Sequence, residues 1–498
     1  MGYWGLAYAA GPDYNLAWTE FAPADRAVAL QLTYHNAREA VRRAANGAPV
    51  EAALAEALTA RYQAPAVTDN DLFDQWNDDY AAAMRQVYAR FPDDPDVCTL
   101  TAEALMCRTP WQLWDLVNEC PAPGADTAEA ITIMEQAMST GADQHPGLLH
   151  MYIHAMEMSP YPEKALPASD TLLPLVPDSG HLVHMPSHIY ILCGEYEKAL
   201  QANVAAVEAD RRWTDFDDTL GIYTIYRCHN YHFIIYAALF LGQFEAALAA
   251  ADEMIGLIPP EGLHHEQAKL VAYLEGYIAT KPHVYIRFGK WDEIIAEPLP
   301  SDPEVYCVGT ATWLYAKGVA YAATGDIANA EETRRDFHRA WQAVPEDRML
   351  FNNKCRDTLQ IAAAMLDGEL EYRKGNYDEA YAYLRRSVQL YDELNYTEPW
   401  AWMQPTRHAL GALLLEQGHV AEALSVYRAD LGLDKSLVRP SRHLDNLWSL
   451  HGYVECLEMQ GQVAEAAPFR AKLAGATALA DVPVSSSCFC RQNDDCCD

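Results

Sequence analysis

Apolar residues recur along most of the chain at the three- and four-residue intervals of an amphipathic helix, in windows dominated by Ala, Leu, Glu and Gln. Alternating β-branched runs are scarce, so the pattern predicts an almost entirely α-helical protein. The helices are punctuated by a short recurring phrase, Gly-x-x-x-x-Ala, with an aromatic or aliphatic residue two places after most of the glycines. It begins at Gly194, Gly242, Gly325, Gly375, Gly418 and Gly461, and Gly289 opens a copy with Ile294 in place of the Ala. Each Gly is expected to stop one helix, and the acidic residues that follow suit the first turn of the next.

The Gly-to-Gly spacings run from 36 to 50 residues. An eighth copy lacks the Gly: Glu163-Lys-Ala-Leu166 and Glu197-Lys-Ala-Leu200 are the same four letters 34 residues apart. That period, and the Gly-x-Tyr-x-x-Ala junction, resemble the turn between the two helices of a tetratricopeptide repeat. The resemblance covers roughly residues 145–475. It implies an all-α solenoid of helical hairpins, wound as a right-handed superhelix with a concave groove. Residues 1–144 read as further helical pairs with long loops, 145–475 as the repeats, and 476–498 as a Cys-rich tail. The first helix, from Tyr3 to Tyr8, starts without a cap or a covering partner. Either it packs unusually or an upstream helix is missing.

Composition narrows the function classes. With 36 Lys+Arg against 70 Asp+Glu the formal charge is −34, which disfavours nucleic acid and anionic lipid as partners. Half of the residues are apolar, enough for a large core and too many for a disordered chain. No apolar run is long enough to span a bilayer and no secretory signal is evident, so the expectation is a cytoplasmic protein with no membrane contact. Eight of the 12 Cys (Cys98, Cys107, Cys120, Cys193, Cys228, Cys307, Cys355 and Cys456) are scattered through helical text and read as reduced thiols. Cys488, Cys490, Cys496 and Cys497 crowd the tail, which is either a thiolate arm able to ligate or hand over metal, a cap on the last repeat, or incidental surface Cys.

The 17 His change the picture once they are phased on the repeat. With each junction Gly as position 15, His181 and His229 fall at position 2. Position 5 holds His150, His184, His232, His408 and His451, and position 9 holds His154, His188 and His283. In the tetratricopeptide family these positions face the groove. Independently, imidazoles four residues apart lie one helical turn apart on one face. His150, His154, His181, His184, His188, His229 and His232 are therefore expected to converge as metal ligands. Glu157 sits three residues after His154 on the same face. Pro186 lies between His184 and His188, so it either confines both to a first turn or breaks their spacing.

The strings from His145 to Glu157 and from His181 to Tyr190, with the closing Asp481-Val-Pro-Val-Ser-Ser-Ser-Cys488-Phe-Cys490, resemble a group of large bacterial tetratricopeptide proteins. Those proteins carry more helix before the Tyr-Trp-Gly-Leu-Ala segment. The resemblance implies the fold and the site positions, and names no substrate.

Imidazole suits Zn, Cu, Fe and Ni. Six or seven His could fill two three-coordinate sites, an arrangement that resembles a coupled dinuclear copper centre that binds and activates oxygen. Glu157 with His150 and His154 could make a facial triad for non-haem iron. A zinc hydrolase with Glu157 as base is the third option, weakened because His-Glu-x-x-His is absent. The expected catalytic groups are Glu157, Tyr152 and Tyr190, in a Tyr-rich face that also holds Tyr223, Tyr226 and Tyr231. Together these residues predict a metal-dependent redox enzyme, copper favoured over iron or zinc, acting on a small molecule or peptide in the groove. The alternative from another class is a non-catalytic adaptor gripping a peptide or protein partner. Asp217-Asp218 and Asp494-Asp495 read as solvated charge.

Overall fold

The computed structural model describes residues 1–214, 216, 219–265 and 268–491. Asp217, Asp218, Asp494, Asp495, Cys496 and Cys497 lie outside the described residues. The chain divides into two compact units, Met1–Val176 and Pro177–Asp498. Both are built almost wholly of helices. The described strands are two-residue pairs, Trp114–Asp115 with Cys120–Pro121 and Met349–Leu350 with Asn353–Lys354. This is the all-α, tetratricopeptide-like hairpin architecture that the repeat text predicts.

In the first unit, helices Pro23–Ala44, Pro49–Arg61, Asp71–Arg90 and Pro95–Met106 pack on their sequence neighbours. Three of the four start with Pro at a first-turn position, where its missing N–H costs no hydrogen bond. Trp18, Tyr62, Phe73, Trp76, Tyr80 and Met84 fill the core between them. Buried Arg61 is held by Glu103 at 2.7 Å and by the Pro12 carbonyl at 2.8 Å. Helix Gly2–Ala9 lies on Pro23–Ala44, with Trp4 stacked on Tyr8 and donating to the Leu54 carbonyl.

The second unit carries the repeat. Its hairpins include Ile222–Leu241 with Phe244–Gly256, Cys307–Ala323 with Ile327–Ala343, and Cys355–Arg373 with Tyr377–Asp392. Arg407–Glu416 with Val420–Asp430 and Leu447–Met459 with Val463–Leu479 follow. All seven junction glycines adopt positive φ, from 62° at Gly289 to 82° at Gly325 and Gly375. Gly242 shows why. It ends its helix in the left-handed region with φ 75°, and a Cβ there would stand 2.7 Å from Leu447 Cδ2. The eighth phrase, at Glu163, keeps its frame but begins as a 3-10 turn over Pro162–Ala165, which runs into helix Leu166–Leu172.

Among the described residues no disulfide joins the eight scattered Cys to one another, and six of them are buried. The tail up to Arg491 is docked on the second unit rather than a free arm. Asp481 accepts hydrogen bonds from the Phe244 and Glu245 N–H groups at 2.7 and 2.9 Å, capping a helix whose first turn lacks intrahelical acceptors. Ser487 hydrogen-bonds Tyr427 and donates to the His408 carbonyl, and Arg491 pairs with Glu455. Cys488 and Cys490 are joined to each other as a disulfide. No helix among the described residues is long and apolar enough to cross a membrane.

Candidate metal centre

Three histidines of the second unit converge. His184 ends helix Gly180–His184, His188 lies in Pro186–Leu192, and His229 faces them from Ile222–Leu241. One ligand atom from each lies within 4.8 Å of the others. His184 and His188 are fully or almost fully buried, and His229 is half-buried. Pro186 splits the helix in two without destroying the spacing. Met185 keeps right-handed helical backbone, and the two rings stay 4.7 Å apart. The break leaves the His184 carbonyl to be satisfied by the Ser187 hydroxyl at 2.6 Å. His184 thus enters from a helix end rather than a loop.

The neighbours settle which ring nitrogens carry protons. Asn203, on helix Tyr196–Thr214, donates its amide N–H to the Ala199 carbonyl at 2.7 Å, which turns its Oδ1 towards His184 Nδ1 at 2.6 Å. An amide oxygen only accepts, so Nδ1 of His184 is the N–H and Nε2 holds the lone pair. His188 Nδ1 lies against the Glu398 carboxylate, which likewise makes Nδ1 the donor and Nε2 the lone-pair atom. The two Nε2 atoms point at each other across 2.7 Å. Facing lone pairs at that distance repel unless a proton or a metal cation lies with them. Donating the second ring N–H to a carboxylate or amide oxygen is the arrangement that orients imidazole for a metal and raises its basicity. Phe233 walls the cluster, its ring 4.7 to 5.0 Å from all three imidazoles, and excludes water from that side.

Glu398 is absent from the expected ligand set, because it lies outside every helix. It sits in the stretch between Tyr377–Asp392 and Arg407–Glu416, with a cis peptide to Pro399. A two-point Arg407–Asp392 pair, at 2.6 and 2.5 Å, clasps the two ends of that stretch together. Trp400 donates to the Tyr391 carbonyl within it. The available signal was the length of the stretch. The Gly375-to-Gly418 spacing is 43 residues, and the surplus over 34 is a Trp-rich insert rather than helix.

Of the other expected ligands, His181 and His232 belong to the second unit. His181 is half-buried, with its ring 6.2 Å from His184 and 5.1 Å from Tyr226. His232 lies on the same helix as His229 but presents Nε2 to the Met403 sulfur at 2.9 Å. His150, His154 and Glu157 belong to the first unit, on helix Pro146–Glu157. There the His150 and His154 rings lie 4.8 Å apart, and His154 Nδ1 meets Glu157 Oε1 at 3.0 Å. Burial pushes His154 down to about 3, so its imidazole is neutral. Tyr14 and Trp111 pack on its ring. His145 caps this helix, accepting from the Leu148 N–H.

Three tyrosines of the Tyr-rich face donate to carboxylates. Tyr152 donates to Glu135 at 2.9 Å, Tyr223 to Asp210 at 2.7 Å and Tyr231 to Glu253 at 3.0 Å. Burial, with those carboxylate partners, pushes all three phenols up, so they stay protonated. Tyr190 is fully buried beneath Lys198.

No protein-family model and no curated protein matches the sequence. Among solved structures, the chain is similar to a monomeric mutant of IFIT1 with Gppp-AAAA, at 11% identity over 91% of this chain and 86% of that one, with a TM-score of 0.36. It is also similar to the APC/C hetero-tetramer Cut9-Hcn1, at 10% identity over 91% and 98%, with a TM-score of 0.28. The pentatricopeptide repeat protein PPR10 from maize aligns at 10% identity over 90% and 83%, with a TM-score of 0.20. At these scores the likeness carries no ligand and no activity over to this chain.

Proposed function

We propose that this protein is a metal-binding helical-repeat protein whose centre is His184, His188 and His229 of the second unit. The observation that carries the reading is the pair of Nε2 atoms facing each other at 2.7 Å, each ring having its Nδ1 held by an oxygen acceptor. An all-imidazole set selects the Zn, Cu, Fe and Ni group. The Glu398 charge offsets part of the cost of burying a dication beside it.

The finer reading is a redox centre, copper before iron, acting on a small molecule or peptide. Support comes from a carboxylate. Glu398, the carboxylate beside the centre, is engaged by His188, whereas a hydrolytic zinc site uses a general base placed to take a proton from bound water. A peptide-gripping adaptor is disfavoured by burial, because His184 and His188 expose almost no surface for a partner to touch.

The test is elemental analysis of full-length protein purified without a His tag, before and after reloading with Zn(II) or Cu(II). Near-stoichiometric metal that is lost in His184→Ala and His188→Ala, with helicity intact, is expected. Substoichiometric metal that does not rise on reloading overturns the proposal. An oxidised copper form with a nitrogen-rich paramagnetic spectrum would support the redox reading, and retention of Zn(II) alone would remove it.

A further inference from the structure

A second group of donors lies one turn along helix Ile222–Leu241 and is chemically unlike the first. His232 is 4% exposed, and its Nε2 meets the thioether of Met403 at 2.9 Å, a contact spanning 171 residues of sequence. Sulfur is larger than oxygen and a weak acceptor, so a plain N–H···S contact gains little and normally sits further out than N–H···O. The other nitrogen of the same ring, Nδ1, is buried with no hydrogen-bond partner among the described residues. His283, on helix Lys281–Arg287, is 6% exposed, and its Nδ1 is also buried without one. Its ring stands edge-on to Trp402 at 4.6 Å, the residue next to Met403. Two buried imidazoles therefore address one dipeptide, Trp402-Met403, and each leaves a ring nitrogen unsatisfied. An unsatisfied buried polar atom costs about 1–3 kcal/mol.

We infer that His232 and Met403, with His283 and the Trp402 ring beside them, form a binding site for a soft monovalent metal ion, Cu(I). Thioether and imidazole are the ligand types that select Cu(I) over harder ions. Charge points the same way. The cost of burying an ion rises with the square of its charge, so a site where no carboxylate among the described residues is recorded acting on either imidazole suits a monocation. His184 and His188 have Glu398 to offset a dication. His232 instead has Tyr277 at 5.5 Å and a stacked Phe351 at 5.8 Å. Burial, and secondarily His283, pushes His232 down to about 3, and burial pushes His283 down to about 4. Both imidazoles are therefore unprotonated and available as ligands at neutral pH. Binding at His232 Nε2 moves the ring proton to Nδ1 and needs no change in net protonation.

The inference is independent of the His184 centre, and the experiment separates them. Full-length metal-free protein is titrated anaerobically with Cu(I) against a chromophoric Cu(I) chelator, and separately with Zn(II). Met403→Leu, which keeps the volume of the side chain, is expected to lose one Cu(I) equivalent or weaken it at least tenfold while Zn(II) uptake is unchanged. His184→Ala is expected to lose Zn(II) uptake while the Cu(I) equivalent that depends on Met403 remains. Equal Cu(I) stoichiometry and affinity in wild type and Met403→Leu would overturn the site. A readout without substitution uses protein labelled with 13C at the Met methyl groups and Ag(I) as a redox-inert stand-in. The Met403 methyl resonance should shift on adding one equivalent, and an unmoved resonance at saturation also overturns the site.

Discussion

His184 and His408 occupy the same position of the repeat, ten residues before Gly194 and Gly418, and both are essentially fully buried. Their surroundings give them opposite roles. His184 hands its Nδ1–H to the Asn203 amide oxygen and aims Nε2 at another imidazole. His408 gives its Nε2 to the Asp430 carboxylate at 3.0 Å. Asp430 also accepts from His443 Nδ1 at 2.8 Å, Asn446 Nδ2 at 3.0 Å and Ser449 Oγ at 2.6 Å. Burial works against ionising Asp430, but the charges and hydrogen bonds of His443 and His408 hold its carboxyl well below the usual range. One region is a set of imidazoles that turn their ring nitrogens to a common point, with the Glu398 carboxylate behind one of them. The other is an acid surrounded by donors that satisfy it. The repeat position fixes where an imidazole points, and the helix packed opposite decides what it does there.

The largest expected effect breaks the second region and spares the first. Asp430→Asn removes the charge on which four buried donors converge, and losing one partner of such a network costs about 3–5 kcal/mol. Chemical denaturation should show that loss, while metal uptake per folded molecule stays at the wild-type level. A parallel loss of metal would mean that the two regions are coupled.

The next effect works through Glu398. Glu398→Gln keeps the shape of the side chain but weakens the acceptor for His188 Nδ1, so the ring becomes a poorer ligand. Outer-sphere changes of this kind cost about 10- to 100-fold in metal affinity. Competition titration with a chelator should show that loss, with little change in the stability of the metal-free protein. Unchanged affinity would remove Glu398 from the centre.

Acid acts on the second region through His408. Burial pushes His408 down to about 4, whereas in the unfolded chain it titrates near its ordinary value. The folded value is depressed, so the unfolded state binds the extra proton. Its contribution to stability is complete above about pH 6.5 and is lost as pH falls from there towards 4. Within that window the slope is about 1.4 kcal/mol per pH unit. His408→Gln retains a donor for Asp430 but does not titrate, so unfolding free energies at pH 6 and pH 5 should differ by that much less than in wild type. An unaltered slope would show that His408 is already protonated in the fold.

These contrasts mark what the sequence could disclose. The hairpins were legible because each junction glycine must take positive φ, and all seven do. Repeat phasing also brought His184, His188 and His229 together, because i, i+4 spacing on one helix and a neighbouring helix face follow from helical geometry. Glu398 and Met403 were not legible, since both come from an insert that no period governs. Nor could phasing separate His184 from His408, because Asn203 and Asp430 lie on the opposing helices. His232 shows the same limit, sharing a helix with His229 yet facing a sulfur.

The smallest effect is the sharpest test of the repeat position by itself. His451 stands ten residues before Gly461, in the slot of His184 and His408. It is only partly buried, and among the described residues its ionic contact is Glu455 at 3.9 Å, on its own helix. Burial pushes it down from its ordinary value, as it does His408. What it lacks is either a converging imidazole or an enclosed carboxylate, and half-exposed pairs of this kind are worth about 0–1 kcal/mol. His451→Ala should therefore shift the denaturation midpoint slightly and leave Zn(II) and Cu(I) stoichiometries unchanged. Loss of metal on that substitution would mean that the slot itself carries the chemistry, and the contrast drawn from Asn203 and Asp430 would fail.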